Sequence, residues 1–506
     1  MCPGAPLTAT PSTARDDHVA PRQPSALGTR ISRGLGWSLL GQGVSRAFVF
    51  AAGLALARLL APIDFGEVAA GLTVASVALA INELGVIPAL VRGVGEVRSA
   101  SATAATIAFA NSAAIYCAAF LVAPAVARLT NTPGSVGVIR IMALSVLVDG
   151  AIAVPLAMLY RDLRTVVQVT AEVGGMAAYA GTALALASFG LDGEAVAWGR
   201  VAGAAVTGVV IAAAGRWPAR PSFDLSIARS LLTFGFPLAA STAVLESVMN
   251  VDYLIVGREL YGAALGVYLL AFNLSSWPVS VLSVAIARVS FAGYSALCDD
   301  HERLDRGFAH SVAVALSFTV PLVALLMWLA SDLVALLYGP AWMAAAAPLR
   351  WLVLIGGVRV MLTMAGEVLA VTGRVGTVLW LRVVWLAALP VPLMVGAEAG
   401  GLRGVAMAHV LVGMVLVVPL FLWRLHNAGF DLAPLARSVA RPLLAAMAAV
   451  LSMSVLGRLV SAPVTRIVVL GAMGAGVYAL ALLPANPVVR TLWRQLRGRG
   501  AVAELA

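Results

Sequence analysis

Apolar runs of about 20 residues recur along almost the whole chain, separated by short polar breaks. Such a run can cross the hydrocarbon core of a bilayer as a helix, because a helix satisfies its own backbone hydrogen bonds. The runs predict an all-α polytopic membrane protein with about fourteen transmembrane helices. They fall near residues 36–57, 67–89, 104–127, 138–159, 166–188, 194–214, 231–256, 264–287, 309–330, 347–371, 375–396, 402–423, 439–457 and 464–483.

The composition agrees with a membrane protein and restricts the chemistry. Of the 506 residues, 61% are hydrophobic and 11% are charged, whereas soluble domains carry about 25% charged residues. All 34 basic residues are Arg, so the chain has neither the Lys of a Walker A loop nor a Schiff-base Lys. The three cysteines lack metal or disulfide spacing. We expect no cofactor and no metal site.

Arginine is distributed unevenly between alternate connections. With a cytoplasmic N-terminus, 22 Arg lie in cytoplasmic segments and 6 in external ones. Because basic loops stay in the cytoplasm, both termini are expected there. The basic balance therefore reflects membrane topology and does not indicate nucleic-acid binding. Residues 1–33 are predicted to be a disordered cytoplasmic tail, and residues 486–506 a basic cytoplasmic tail.

Two sequence echoes indicate an internal duplication. At an offset of 200, the connection after the first span and the connection after the seventh span share Arg, Leu and Gly, as Arg58 with Arg258, Leu60 with Leu260 and Gly66 with Gly266. A second echo joins GLDGEAVA, which begins at Gly190, to GLRGVAMA, which begins at Gly401. Six predicted spans separate the copies. Because six is an even number, the two halves would have the same orientation in the membrane.

The echoes predict two six-helix lobes, at residues 34–216 and 229–426, related by an axis along the membrane normal. Two further helices would lie at residues 436–485. Parallel repeats are typical of alternating-access transporters, which bind substrate between lobes near the midplane. A duplicated bundle with another role, such as a membrane enzyme, is the alternative.

Three stretches also resemble a known family. They read GWSLLGQGVSRAFVFAAGLALARLLAPIDFGEVAAG with INELGVIPALVRG, FGFPLAASTAVLESVMNVDYLIVGRELYGAALGVYLLAFNLSSWPVSVLS, and LVALLYGPAWMAAAAPLRWL. They resemble the bacterial polysaccharide transporter family of lipid-linked oligosaccharide and lipopolysaccharide flippases, within the multidrug/oligosaccharidyl-lipid/polysaccharide superfamily. The resemblance covers roughly residues 30–425 and identifies the superfamily better than the substrate.

The resemblance implies a two-lobed flippase in the bacterial cytoplasmic membrane, acting in cell-surface polysaccharide biosynthesis. It would move an undecaprenyl-pyrophosphate-linked glycan from the inner to the outer leaflet. Its implied partners are the lipid-linked glycan, membrane lipid and other polysaccharide-assembly proteins, and not nucleic acid.

Charged residues inside the predicted spans are the candidate functional residues, because a charge at the bilayer centre costs about 2.5–3.5 kcal/mol on insertion scales. Guanidinium groups suit a pyrophosphate or an acidic glycan, since they bind such oxygens in pairs. The candidate substrate-binding cations are Arg46, Arg200, Arg359 and Arg382. The candidate acids for gating or for coupling to H⁺ or Na⁺ are Glu246, Asp252 and Glu367.

Each candidate has a structural alternative. The arginines could pair with acids on neighbouring helices or reach the membrane interface. Arg46 and Glu246 correspond at the offset of 200, so they could form a gate-like pair or face different neighbours. Asp252 could be a helix-end carboxylate that pairs with Arg258.

Two other functions are alternatives at this point. An ion-coupled multidrug antiporter would share the architecture, but we expect its cavity to be acidic and aromatic. A membrane-embedded glycosyltransferase or polymerase would need acidic or metal-binding residues on a sizeable external loop. The predicted external loops are short and the sequence has no HExxH motif. We therefore expect a transporter and not an enzyme.

Overall fold

The computed structural model describes residues 24–82, 90, 97–162, 164–215, 223–297, 300–458 and 462–482. Within these ranges the regular structure is helical throughout. The helices are α1 (Pro24–Leu59), α2 (Pro62–Asn82), α3 (Val97–Leu129), α4 (Ser135–Arg161), α5 (Thr165–Ser188), α6 (Gly193–Ala214), α7 (Leu225–Leu297), α8 (His301–Leu337), α9 (Ala346–Val371), α10 (Val375–Ala388), α11 (Pro390–Val412), α12 (Val418–His426), α13 (Leu432–Leu456) and α14 (Gly471–Leu482). Shorter helical segments lie at Pro340–Ala345, Gly413–Val417, Pro463–Thr465 and Arg466–Leu470.

The all-α membrane architecture is confirmed, since each predicted span lies on a helix wherever the structure describes it. By length and apolar composition alone, nine stretches within the described residues could cross a membrane. Two of these stretches, Ala239–Ser276 and Val375–His426, each reach across two predicted spans.

The first helix begins earlier in the chain than the predicted tail allows. Helix α1 begins at Pro24, so the first helix extends into the segment that the sequence predicts as a disordered tail. This is a property of helices, which continue beyond the apolar part of a span where no residue breaks them. Residues 1–23 and the predicted basic tail at 486–506 lie outside the described residues.

Breaks inside two long helices mark the places where consecutive predicted spans meet. Tyr261 interrupts α7 with φ 69° and ψ 170°. Gly401 interrupts α11 with φ 55°, and Gly190, its counterpart in the second echo, has φ 87°. Both glycines adopt the left-handed conformation that residues with a Cβ avoid. The second echo therefore preserves a tight turn between two antiparallel helices.

The chain forms two compact units, of which unit 1 lies within Met1–Leu59, Val74–Pro124 and Gly134–Glu246. In unit 1, α5 and α6 pack closely through small residues. A Cβ added to Gly175 would lie 2.9 Å from the carbonyl oxygen of Gly203, and one added to Gly203 would lie 2.8 Å from that of Gly175. Such contacts between small residues are how membrane helices approach each other without a hydrophobic driving force.

Unit 2 lies within Leu60–Thr73, Ala125–Pro133 and Ser247–Ala506. Its helix α8 packs against both α9 and α13, and α13 packs against α14. Arg466, just before α14, forms an ion pair with Asp332 of α8 at 3.2 Å and lies over the ring of Trp328. The hydroxyl of Tyr478 on α14 donates to the carbonyl of Ser317 at 3.1 Å. The last two predicted spans are thus attached to α8.

Unit 2 also joins the start of α2 to the centre of α7 through a reciprocal glycine contact. A Cβ added to Gly66 would overlap the carbonyl oxygen of Gly262, and one added to Gly266 would overlap that of Pro62. Residues 62 and 262 correspond at the offset of 200, and so do residues 66 and 266. The contact between 66 and 262 in one copy therefore has its counterpart in the contact between 266 and 62. We call these four residues, Pro62, Gly66, Gly262 and Gly266, the glycine contact. Close to it, the side-chain amide of Asn131 donates hydrogen bonds to the carbonyls of Gly257 and Arg258 at 3.3 and 3.2 Å.

Candidate functional site

A buried group of polar side chains forms where α7, α10 and α11 meet in unit 2. Its members are Asp252, Tyr268, His409 and Trp385, and we call it the polar cluster. Helix α7 supplies Asp252 and Tyr268 from opposite sides of its break at Tyr261. The break lets two residues 16 positions apart in sequence face each other. Helices α11 and α10 supply His409 and Trp385.

The carboxylate of Asp252 is the centre of the polar cluster. The Tyr268 hydroxyl donates to Asp252 Oδ2 at 2.8 Å. The Nδ1 atom of His409 lies 3.5 Å from the same oxygen, a separation typical of an ion pair but too long for a good hydrogen bond. Asp252 is 0% exposed and His409 is 1% exposed, so bulk solvent does not reach this pair.

Aromatic rings enclose the polar cluster. The ring of Trp385 lies edge-on to the imidazole of His409, with centroids 6.3 Å apart. On the other side, Tyr253 packs edge-on against Tyr268 and Phe272, with centroid separations of 6.0 and 5.6 Å. These apolar walls lower the local dielectric, which strengthens every electrostatic interaction inside them.

Several polar atoms of the polar cluster are unsatisfied. Among the described residues, Asp252 Oδ1, both ring nitrogens of His409 and Trp385 Nε1 are buried without a hydrogen-bond partner. Buried polar groups are normally paired, because leaving one unpaired costs about 1–3 kcal/mol. Unsatisfied buried groups that converge on one place are more typical of a functional site than of a structural core.

The geometry places two proton-accepting groups side by side in a buried environment. A carboxylate and an imidazole at this separation can hold one proton between them, and the Tyr268 hydroxyl stabilises the carboxylate by hydrogen bonding. Of the predicted site residues, Asp252 is thus in a partnered and buried position. Its alternative partner from the sequence, Arg258, instead forms an ion pair with Glu259 at 3.3 Å.

From the sequence, His409 is recognisable as a titratable group within a span, but no role is assigned to it. Its sequence signal is a titratable ring in an otherwise apolar span. What the sequence could not show is that α7 and α11 bring it to Asp252, since the two residues lie on different predicted spans.

The other predicted residues of unit 2 are half-buried. They are Arg359 and Glu367 on α9 and Arg382 on α10. Arg359 is close enough to Tyr253 to act electrostatically on its hydroxyl, which brings it near the polar cluster. Glu367 Oε2 is buried with no hydrogen-bond partner among the described residues.

The predicted residues of unit 1 are Arg46, Arg200 and Glu246, and all three are half-buried. Arg200 on α6 interacts electrostatically with Asp149 of α4 and Tyr179 of α5. Its Nε atom is buried without a hydrogen-bond partner among the described residues. The assignment of the four arginines to the substrate stays a prediction.

Comparison with known sequences relates the chain to proteins of polysaccharide biosynthesis. A family profile described as "Polysaccharide biosynthesis protein" matches residues 55–347. The succinoglycan biosynthesis transport protein ExoT of Rhizobium meliloti is 25% identical over 94% of this chain and 97% of its own length. The teichuronic acid biosynthesis protein TuaB of Bacillus subtilis is 24% identical, but the match spans only 40% of this chain and 41% of TuaB, under half its length.

Solved structures share the fold. The lipid II flippase MurJ, in an inward closed conformation, superposes with a TM-score of 0.74 at 12% identity, covering 91% of this chain and 99% of MurJ. An inward-facing multidrug resistance MATE family transporter of the MOP superfamily gives a TM-score of 0.59 at 17% identity, over 76% of this chain and 95% of the transporter. At such identities the likeness establishes the membrane-transporter fold and not the substrate.

Proposed function

Because the chain belongs to the family of polysaccharide biosynthesis proteins, we propose that it is a flippase for a lipid-linked oligosaccharide. It moves the undecaprenyl-pyrophosphate-linked glycan from the inner to the outer leaflet of the bacterial cytoplasmic membrane by alternating access. The observation that carries the proposal is the alignment with a succinoglycan biosynthesis transport protein over 94% of the chain. The fold shared with a lipid II flippase supports it.

We assign the anionic end of this substrate to Arg46, Arg200, Arg359 and Arg382. Four guanidinium groups in predicted membrane spans need compensation by water, acids or a ligand, and a pyrophosphate supplies two charged groups of suitable geometry. Glu246, Asp252 and Glu367 are assigned to gating or ion coupling, in which a carboxylate exchanges its compensating charge between states.

The proposal places the protein among transporters and not among enzymes. The chain is a multi-pass membrane protein of a bacterial family, and its termini are assigned to the cytoplasm from the distribution of Arg. The lipid-linked glycan and membrane lipid are its proposed partners, with other polysaccharide-assembly proteins acting before and after it.

The test is reconstitution of the full chain in liposomes that contain a fluorescent, short-chain polyprenyl-diphosphate oligosaccharide. A membrane-impermeant reductant added outside bleaches only label that has reached the outer leaflet. We expect label of the inner leaflet to become accessible faster than in protein-free vesicles. An unchanged rate, together with uptake of a cationic dye, would contradict the flippase and favour a multidrug antiporter.

A second test uses the cell that makes the protein. Depletion should cause the lipid-linked glycan to accumulate in the inner leaflet, and mass spectrometry of that lipid identifies the glycan. Normal surface polysaccharide after complete depletion would contradict the proposal.

A further inference from the structure

We propose that Asp252 and His409 together form a proton-binding site in unit 2, and that this site takes a proton and not a metal cation. The inference deepens the proposed function and rests on it, because it names the ion that accompanies transport. His409 is the residue that decides the ion, and the sequence alone assigns it no role.

The separation of the two groups suits a shared proton. His409 Nδ1 and Asp252 Oδ2 are 3.5 Å apart, just beyond hydrogen-bond distance. If Nδ1 carries no hydrogen, two lone pairs face each other across this gap. A proton on the imidazole turns the same contact into a charge-assisted hydrogen bond, which is shorter and stronger.

The net charge of the pair depends on whether the proton is bound. Asp252 and His409 are almost completely buried. In that environment an uncompensated charge is expensive, and two groups whose charges cancel are cheaper. With one added proton the pair is neutral, either as carboxylate with imidazolium or as carboxylic acid with imidazole. Without that proton the pair has a net charge of −1. Uptake of one proton therefore changes the energy of the buried pair, and a transport cycle can use that change.

Other charged and titratable groups lie on the same helix as Asp252 and on the helices packed against α11. On α7, Tyr253 and Tyr268 lie beside Asp252, while Arg258 and Glu259 pair with each other. The helices packed against α11 carry Arg350, Arg359 and Glu367 on α9 and Arg382 on α10. Arg350 donates to Ser331, and Arg359 acts on Tyr253. Arginine keeps its charge throughout the working range of pH, so it sets a constant background. Against that constant charge, Asp252 and His409 are the groups that can take up and release a proton.

A metal cation is a poorer match to the same position. Hard cations prefer six or more oxygen ligands. The contacts of the Asp252 carboxylate among the described residues are the hydroxyl of Tyr268 and the imidazole of His409. No group of three or more His, Cys, Asp or Glu side chains able to hold a metal occurs within the described part of the chain. The donor set fits a proton better than it fits Na⁺.

The direct test reads the charge of His409 by NMR. The chain has five His, so replacing His18, His301, His310 and His426 by Gln leaves His409 as the single ¹⁵N-labelled imidazole. This variant leaves the site untouched and is measured as the full chain in lipid nanodiscs between about pH 5 and 8. We expect the ¹⁵N shift to respond to pH, because protonation converts neutral imidazole to imidazolium. In the same background Asp252→Asn should reduce the imidazolium fraction at each pH.

Two results would overturn the proposal. One is a His409 signal that is neutral at every pH and unaffected by Asp252→Asn. The other is a signal that responds to Na⁺ at fixed pH and not to pH. Neither result depends on whether the protein moves a glycan, so this measurement decides the proton site even if the flippase proposal fails.

The coupling test uses the reconstituted flippase with a pH gradient across the vesicle. We expect the gradient to accelerate flipping by the wild type, and Asp252→Asn and His409→Gln to lose that acceleration. His310→Gln is the matched control, because His310 is an exposed histidine on α8, and it should keep the full response. Equal stimulation of the wild type and both site variants would exclude this pair as the coupling site. Flipping without any gradient effect in the wild type would do the same.

Discussion

At the scale of single residues, Asp252 is unusual because few hydrogen bonds stabilise its buried carboxylate. Its Oδ2 atom receives one hydrogen bond, from Tyr268, and its Oδ1 atom receives none among the described residues. A buried carboxylate usually accepts several hydrogen bonds. Asp252 therefore depends on Tyr268 and His409 more than a well-solvated acid would.

This dependence predicts that Tyr268→Phe destabilises the protein. The substitution keeps the ring and removes the hydroxyl, so it should lower the free energy of unfolding by about 1.5–3 kcal/mol, the range for hydrogen bonds to charged groups. Denaturant unfolding in mixed micelles measures the difference. The control is Tyr253→Phe, which changes the next residue along the chain from Asp252 in the same way. If both variants unfold alike, the hydrogen bond contributes nothing specific.

The intramembrane arginines give a second prediction at this scale. Arg46→Gln, Arg359→Gln and Arg382→Gln keep hydrogen-bonding capacity but remove the charge, so folding should persist while flipping slows on the order of tenfold. Lys at the same positions keeps the charge without the planar fork and should give intermediate rates. Arg403→Gln is the matched control, because Arg403 is exposed. Wild-type rates in all three Gln variants would remove the arginines from the substrate site.

At the scale of helices, the glycine contact leaves no room for a side chain. Gly66→Ala or Gly266→Ala would place a methyl group against a carbonyl oxygen, and overpacking of this kind costs about 1–3 kcal/mol. Each variant should unfold at a lower temperature than the wild type. Gly53→Ala is the control, since a Cβ at Gly53 would meet open space. Equal thermal stability of all three would show that the close approach is absent in solution.

The attachment of the last two helices gives a further prediction. The side chain of Arg466 is 32% exposed and that of its partner Asp332 is 11% exposed. Arg466→Gln should cost about 1 kcal/mol, because solvent screens part of the ion pair and Trp328 contributes through its ring. Thermal unfolding compares it with Arg458→Gln, an exposed arginine nearby. No difference between the two variants would mean that apolar packing alone holds α14 on α8.

At the scale of the whole molecule, topology is the property that the distribution of Arg predicts most directly. Reporter fusions after Arg92, after Arg128 and at the C-terminus should read inside, outside and inside. The first two positions flank one predicted span, so they must lie on opposite sides. An external C-terminus would remove one of the last two spans from the membrane.

Much of the architecture could be predicted from the sequence, because a bilayer allows few solutions. Apolar length alone locates the helices, and every predicted span lies on one where the structure describes it. Turn positions were also accessible, since the echo at Gly190 and Gly401 marks two left-handed glycines. Hydropathy is less informative at helix ends, which explains why α1 begins at Pro24 inside the predicted tail.

The polar cluster could be predicted only in part. Asp252 stands out because a charge in an apolar span requires a compensating partner. That partner cannot be read from spacing, because His409 lies on another helix and hydropathy does not specify which helix faces meet. Pairing between distant helices depends on packing, so a single sequence shows the candidates and not their combination. Trp385 likewise has no sequence signal that distinguishes it from the other tryptophans.

The glycine contact has a consequence for the history of the chain. Its reciprocal pairs, 62 with 266 and 66 with 262, are what a twofold axis between identical subunits produces. An ancestor of half the present length, associating with a second copy of itself, would have formed both pairs from one sequence. Fusion of two such copies would have freed the two pairs to diverge, and Gly66 and Gly266 still lie too close to the opposing carbonyl oxygens to accept a side chain. Related proteins should therefore show correlated substitutions within each pair, and a larger residue on one side should occur only with a displaced backbone on the other.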